Sequence, residues 1–492
     1  MKNLTLLTDL YQLTMMQGWY FAGKSNQKAI FDRFYRTNPY HGGYTIFAGL
    51  EHVIKYIKEL SFVDEDIDYL RSLGIFKEEF LNYLLHFQFS GDIWSVPEGT
   101  VVFPDEPLVR VQANFMEAQL IETALSMFLN HESLICTKAS RIRTVAPEDR
   151  LMEFGLRRAH GADAGIYGAR AAVIGGFDAT SNVIAGKMFG IPVAGTMAHS
   201  WVMSFPSEID SFREYARQYP GNAILLVDTY NSLQSGVPNA ITVFKELLAC
   251  GVKFGKYGIR FDSGDLAYLS KEARKMLDQA GLDNAVISAS NDLDEYIIRD
   301  LKMQGAKITV WGVGTKLITS EGSSSMGGVY KLAAEYVDEL IIPKMKISDN
   351  VEKITNPGIK KLFRVYQHEK IKADLITLAD EEIDSNLDLL LSDETHAWKK
   401  IVLLKGSYTI REMLVPIFKN GRSIYKQPSL QEIKGYAQSE LETLWDEFKR
   451  LTNPDQMKVD LSEKLVALKK QLLFENQKNV IENISTYSNN DP

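Results

Sequence analysis

Ala223-Ile-Leu-Leu-Val227, closed by Asp228-Thr-Tyr-Asn231, is the stretch whose reading decides the fold. An unbroken apolar run suits a strand buried on both faces, and the abrupt turn to polar residues marks its carboxyl end. The pattern recurs downstream. Tyr257-Gly-Ile259 runs into Arg260-Phe-Asp262-Ser-Gly-Asp265, and Ala285-Val-Ile-Ser288 into Ala-Ser290-Asn291-Asp292. Ile308-Thr-Val-Trp311 runs into Gly312-Val-Gly314-Thr315. Amphipathic helical patterns over residues 240–250, 266–280 and 292–304 fill the intervals. This alternation predicts βα units, a parallel sheet and an irregular β/α barrel. In a barrel the carboxyl strand ends carry the site, and the loops after the last two strands commonly hold a phosphate. Asp228, Asp262, Asn291 and Gly314 are therefore expected on one rim. Asp or Gly after a single strand also caps helices and turns corners; the repetition is what favours a shared rim.

Upstream, Ile191-Pro-Val-Ala-Gly-Thr-Met-Ala-His199-Ser-Trp-Val-Met-Ser-Phe205 sets a histidine just past an apolar run, where side chains reach reacting groups. Gly175-Gly176-Phe-Asp178 precedes a helix expected over 179–189, with Asp178 either its N-cap or a ligand contact. Lys138, Arg141, Arg143, Arg150, Arg157, Arg158 and Arg170 make 138–170 the most cationic part of the chain. Arginine forks match carboxylate and phosphate and stack on rings, so Phe154 with Arg157 suits a planar anion. Residues 320–328, Ser-Glu-Gly-Ser-Ser-Ser-Met-Gly-Gly, read either as a lid or as a mobile loop.

The amino-terminal section reads as α+β. Asp9 and Gln12 suggest a capping box opening a helix over 10–21, with Tyr11 in its first turn. Helices follow over 49–60, 64–73 and 77–87, then short strands from Asp92, Thr100 and Leu108, then a helix over 115–130. The domain reading is 1–130 as an α+β domain, 131–345 as a β/α-barrel catalytic domain, and 346–492 as a carboxyl-terminal segment packing on the first. Strand chemistry at Trp398–Leu404 and Glu412–Phe418, a helix near 429–451 and a fraying polar tail of about twenty residues complete it.

With 492 residues the chain exceeds a single core. Its net charge of −8 argues against nucleic acid as the main partner. Two cysteines, Cys136 and Cys250, give no disulfide framework and no four-cysteine metal site. No apolar run reaches membrane-span length, and the run at Leu4–Leu7 is too short for a signal peptide, so a cytoplasmic location is expected. Walker A, G-x-G-x-x-G and H-E-x-x-H motifs are missing from the sequence.

A co-linear set of segments carries a resemblance: Thr8-Asp-Leu-Tyr-Gln-Leu-Thr-Met15, Glu153-Phe-Gly-Leu-Arg-Arg158, Gly175-Gly-Phe-Asp178, Ala194-Gly-Thr-Met-Ala-His-Ser200, Val227-Asp-Thr-Tyr230, Ile259-Arg-Phe-Asp-Ser-Gly-Asp265, Gly312-Val-Gly-Thr315 and Gly327-Gly-Val-Tyr-Lys-Leu332. Together these resemble the nicotinate phosphoribosyltransferases. The resemblance implies transfer of ribose 5-phosphate from phosphoribosyl pyrophosphate to nicotinate, coupled to ATP hydrolysis through a phosphohistidine, as the first step of NAD salvage. It implies His199 as the phosphorylated residue, with Ser200, Asp228 or Asp262 orienting the ring. Asp228 and Asp262 would stabilise the cationic sugar, with Mg²⁺ on the pyrophosphate. Phe154, Arg157 and Thr196 would bind nicotinate, with Tyr11 reaching in from the second subunit of a homodimer. Asp178, Arg260, Asn291, Gly312, Gly314 and Thr315 would bind the phosphoribosyl group. Three alternatives stand beside it: a nicotinamide-using relative, a barrel aldolase or isomerase built on Lys187 or Lys316, and a non-catalytic nucleotide sensor.

Overall fold

A computed structural model describes residues 3–350, 353–392, 398 and 400–488, with side chains to 476. The chain divides into two compact units. One holds residues 132–324 and 429–438; the other holds 1–131, 325–428 and 439–492.

The first unit is built on six strands: β1 (Arg150–Glu153), β2 (Ala179–Thr180), β3 (Asn222–Leu226), β4 (Lys256–Phe261), β5 (Val286–Ala289) and β6 (Val310–Val313). All neighbours are parallel, in the order β2-β1-β6-β5-β4-β3. The result is a mixed α/β fold with a curled, half-barrel sheet. Among the described residues β2 and β3 do not pair, and the chain before His199 contributes one parallel bridge, Thr180 to Val193, instead of the full strand expected.

Register levels the carboxyl ends. Glu153 lies opposite both Thr180 and Val313, Ala289 opposite Phe261 and Trp311, and Leu226 opposite Arg260. Leu225, Val227, Ile259, Phe261, Ile287, Trp311 and Val313 are all buried, which is why these strands read as continuous apolar runs. Each such side chain contributes about 1.5–3 kcal/mol by leaving water. The helices between strands begin at built caps. Asp265 accepts the Tyr268 N–H ahead of Leu266–Gln279, and Asp294 accepts those of Tyr296 and Ile297 ahead of Glu295–Met303.

The second unit centres on a seven-stranded antiparallel sheet in the order Leu340–Pro343, Gly328–Val337, Lys28–Tyr35, Val109–Asn114, Asp92–Ser95, Val415–Lys419, Arg422–Ser423. Beside it in sequence, Lys360–Gln367 and Lys370–Leu378 form a hairpin within a four-stranded sheet. That sheet buries an ionic knot: Arg364 lies 2.6 Å from Asp374 and 3.0 Å from Glu440.

Several expectations need correction. The barrel domain ends near Ser324, not 345, because Gly328–Val337 pairs with Lys28–Tyr35. Residues 429–438 join the half-barrel unit. The helix expected over 115–130 is two, Phe115–Leu120 and Glu122–Val145. Helix Leu10–Phe21 forms as expected but without the capping box. Asp9 instead accepts the Thr123 hydroxyl, and Gln12 pairs with Gln119 and Glu122. The carboxyl-terminal tail is helical from Glu463 to Ser488; residues 489–492 of that expectation lie outside the described residues.

Candidate active site

A cavity of about 510 Å³ opens at the carboxyl ends of the parallel strands. Its walls are the strand-end loops in turn: Phe154, Leu156, Arg157 and Arg158 after β1, Ser181 after β2, and Gly195–His199. Arg260 and Asp262 at β4, Ser290–Asp292 after β5, and Gly312, Gly314 and Thr315 at β6 close the ring. Level strand ends put residues far apart in sequence on this one rim.

His199 opens a short helix, His199–Met203, with its side chain 40% exposed. Its Nδ1 lies 3.1 Å from the Thr229 hydroxyl, while Nε2 is 3.9 Å from Asp262 Oδ2. The ring is thus oriented by Thr229 and not by Ser200, Asp228 or Asp262, since 3.9 Å is beyond hydrogen-bond range. Asp262 is itself held, accepting the Ser290 hydroxyl on Oδ1. Asp228 does not line the cavity. Its Oδ2 accepts the Asp262 N–H at 2.8 Å and the Ser263 hydroxyl at 2.6 Å, which shapes the loop that presents Asp262, and its buried Oδ1 has no donor among the described residues.

Arg260 is largely buried, donates to the Thr196 hydroxyl, and keeps its Nε without an acceptor among the described residues. Burial pushes its pKa down, Asp262 and Asp228 push it back up, and Arg157 adds to the depression. Two guanidiniums that disfavour each other electrostatically, one of them incompletely hydrogen-bonded, make a locus that an anion relieves. Phe154 lines the same cavity. Its ring packs so closely on Gly312 that a Cβ there would lie 2.5 Å from it. Also on the cavity, Asn291 and Asp292 hold consecutive left-handed conformations, φ 87° and 40°. Asn and Asp tolerate that region best, and such strain gathers at functional loops.

Other expected residues lie elsewhere. Asp178 precedes β2, at the end opposite Ser181, and does not line the cavity. Nor does it cap a helix: Asn182 caps Val183–Phe189. The Asp178 carboxylate accepts the Leu151 N–H at 3.0 Å and pairs with Arg143 at 2.7 Å and Lys434 at 3.2 Å. Burial acts to raise its pKa, and these contacts outweigh it, leaving the group below its usual range. Most of the cationic stretch is also structural. Lys138 and Arg141 pair with Glu295, and Arg170 with Glu132, leaving Arg157 and Arg158 on the cavity. Tyr11 belongs to the other unit, is 48% exposed and is not among the lining residues. Neither lysine of the aldolase alternative lines the cavity. For Lys316 burial acts downward but Asp294, 2.9 Å away, raises the pKa, the reverse of what a Schiff-base lysine needs. Residues 320–328 begin as a pinned turn: the Ser320 hydroxyl donates to the Ser323 carbonyl, and Glu321 lies 3.6 Å from Lys316.

Sequence reasoning missed Ser181, Ser290, Asp292 and Thr229. Asp292 and Ser290 flank a residue already singled out, and Thr229 follows Asp228, so the strand-end rule reached them once extended by one residue. Ser181 follows a two-residue strand that leaves no periodicity to read.

Parallel strand ends, an oriented imidazole, three guanidiniums and two carboxylates around one cavity define an α/β enzyme with its site at the strand ends. Sequence models described as the nicotinate phosphoribosyltransferase N-terminal domain, family and C-terminal domain match residues 6–130, 150–370 and 359–469. The chain is 44% identical to nicotinate phosphoribosyltransferase of Bacillus subtilis (strain 168), over 96% of each chain. It is 33% identical to that of Homo sapiens, over 94% of this chain and 95% of the human one. The crystal structure of human nicotinic acid phosphoribosyltransferase superposes with a TM-score of 0.83 at 31% identity, covering 95% of this chain and all of that one. Nicotinate-nucleotide pyrophosphorylase from Pyrococcus furiosus shares the fold, at TM-score 0.65 and 22% identity. The chain belongs to the nicotinate phosphoribosyltransferase family.

Proposed function

We propose that this chain joins nicotinate to phosphoribosyl pyrophosphate, forming nicotinate mononucleotide and pyrophosphate, with hydrolysis of ATP to ADP and phosphate driving the transfer. The observation that carries the reading is Phe154 beside Arg157 and Arg260 in a cavity also bordered by His199, Asp262 and the Gly312–Thr315 segment. A flat aromatic anion fits the ring and the two forks. Ser181 and Arg158, which also line the cavity, favour a carboxylate over the neutral amide of nicotinamide. Asn291, Gly314 and Thr315 suit the 5′-phosphate, since backbone N–H groups approach closely where a side chain is missing. Asp178 is left out of the ligand set.

In the transfer, the pyridine nitrogen forms a bond to ribose C1 as the C1–pyrophosphate bond breaks, through an oxocarbenium-like state. Asp262 faces that charge. A unit pair at 4 Å is worth about 4 kcal/mol at an effective dielectric of 20. In the coupled step the γ-phosphoryl bond of ATP breaks as a P–N bond forms on His199, the ring proton leaves, and water later cleaves the phosphoimidazole to phosphate. Thr229 fixes the ring for that exchange.

Mg²⁺ would supply charge neutralisation on the leaving pyrophosphate. Among the described residues no group of three or more His, Cys, Asp or Glu forms a ready metal cage. Asp262 and Asp292 on the cavity fit a hard cation that takes most of its ligands from substrate oxygens. The reading further takes the half-barrel as an irregular β/α barrel, the location as cytoplasmic and the assembly as a homodimer with shared sites. Exposed Val183, Ile184, Met188 and Val193, next in sequence to the cavity residues Ser181 and Gly195, support a covered face, and exposed Leu10, Tyr11 and Met15 a donated one. Among the described residues no helix is long and apolar enough to cross a membrane.

The test is direct. The purified chain with nicotinate, phosphoribosyl pyrophosphate, Mg²⁺ and ATP should yield the mononucleotide, and should use nicotinamide far more slowly. His199→Ala should lose acid-labile ³²P from γ-labelled ATP. Equal use of both pyridines would favour the nicotinamide relative, and phosphoribosyl pyrophosphate binding without product would favour a sensor.

A further inference from the structure

Glu153 ends β1, is fully buried and forms no ion pair among the described residues. A buried carboxylate without a counter-cation is costly, and persists where donors compel it. Here they come from two different loops. Oε1 accepts the backbone N–H of Gly155, Oε2 accepts the Thr180 hydroxyl at 2.5 Å, and the Glu153 carbonyl accepts the Ser181 N–H at 2.9 Å. An ionised carboxylate accepts on both arms, whereas a glutamine side chain accepts on one and donates on the other. The Gly155 loop carries Phe154, Leu156 and Arg157; the Thr180 loop carries Ser181, and the Thr180 carbonyl accepts the Ala194 N–H, next to Gly195 and Thr196. All of these border the cavity or adjoin residues that do.

We infer that Glu153 is a positioning residue for pyridine recognition, a two-armed clamp that sets the Phe154–Arg157 wall against the Ser181–Thr196 wall. The inference rests on the proposed nicotinate site. Glu153 touches no reacting atom; it fixes the gap into which the flat ring slides, so its loss shows in how well the ring binds more than in how fast bonds break. Burial raises its pKa, with the Thr180 and Gly155 hydrogen bonds opposing part of that rise.

The experiment compares Glu153→Gln, Thr180→Val, the double variant and Thr180→Ser, reading both KM values, kcat and amide hydrogen exchange. Expected are KM increases for nicotinate of about tenfold in each of the first two, the size of one charge-assisted hydrogen bond. KM for phosphoribosyl pyrophosphate should move less than about threefold, and the double variant should be no worse than the poorer single one, as for two residues acting through one contact. Thr180→Ser, which keeps the hydroxyl, should stay near the parent. Exchange should rise together in peptides spanning 154–158 and 180–184. Additive effects, equal loss for both substrates, or exchange rising in one segment alone would overturn the clamp. If the unaltered chain makes no mononucleotide, the proposed reaction fails, and the exchange result still decides whether Glu153 ties the two loops.

Discussion

At the scale of single residues, Gly312 shows how little room the site leaves. Its missing Cβ is the space the Phe154 ring occupies. Gly312→Ala should force the ring off its place at a cost of about 1–3 kcal/mol, typical of overpacking. In steady-state kinetics that becomes a roughly 5- to 150-fold rise in KM for nicotinate, with unfolding midpoints little changed if the ring swings into the cavity. Residue-level reading of the sequence was uneven for a physical reason. His199, Arg260 and Asp262 announce themselves because polar and charged residues recur at one strand end after another. Thr229 does not, since a threonine after a strand has a dozen bland explanations; only the 3.1 Å contact to His199 distinguishes it.

At the scale of elements, the contrast is between the two ends of one strand. Ser181 follows β2 into the cavity, while Asp178, just before it, serves the opposite rim with Arg143 and Lys434. Three residues separate an active-site position from a structural one, and the brevity of β2 hid the difference. Asp178→Asn should therefore lower stability and leave both KM values close to the parent. The carboxylate is about a third exposed, so after allowance for solvent screening the effect is about 1 kcal/mol. Because its folded pKa is depressed, the stabilisation exists above the ordinary carboxylate range and is lost as pH falls through the folded value. Denaturant midpoints of parent and variant should converge below about pH 4 and separate above it. Separation that grows toward acid would contradict the ion pairs. Elsewhere the elements β3 to β6 were legible as apolar runs because both faces are buried. The antiparallel sheet was not, since Lys28–Tyr35 pairs with Gly328–Val337 across nearly the whole half-barrel sequence, and no local pattern encodes such a partner.

At the scale of the whole molecule, the proposed reading requires a second copy. Tyr11 sits half exposed on Leu10–Phe21 with exposed Leu10 and Met15 on the same helix, and is not among the residues lining the candidate site. Mixing an inactive Tyr11→Ala chain with an inactive His199→Ala chain should restore up to about a quarter of parental activity, the share of mixed sites drawing both intact residues if subunits exchange freely. Sedimentation should find a dimer at working concentration. No recovery despite exchange would place each site within one chain.

Asn291 and Asp292 leave one matter for anyone who would harden this protein against heat. Glycine at either position releases torsional cost in the native chain and would be an obvious choice of a stabilising search, although added freedom in the unfolded chain trims the gain. Both residues border the cavity, so each such change surrenders a carboxamide or a carboxylate at the proposed substrate site. Thermal tolerance and turnover should pull apart at this turn, and variants selected for survival at high temperature alone should return with dull kinetics.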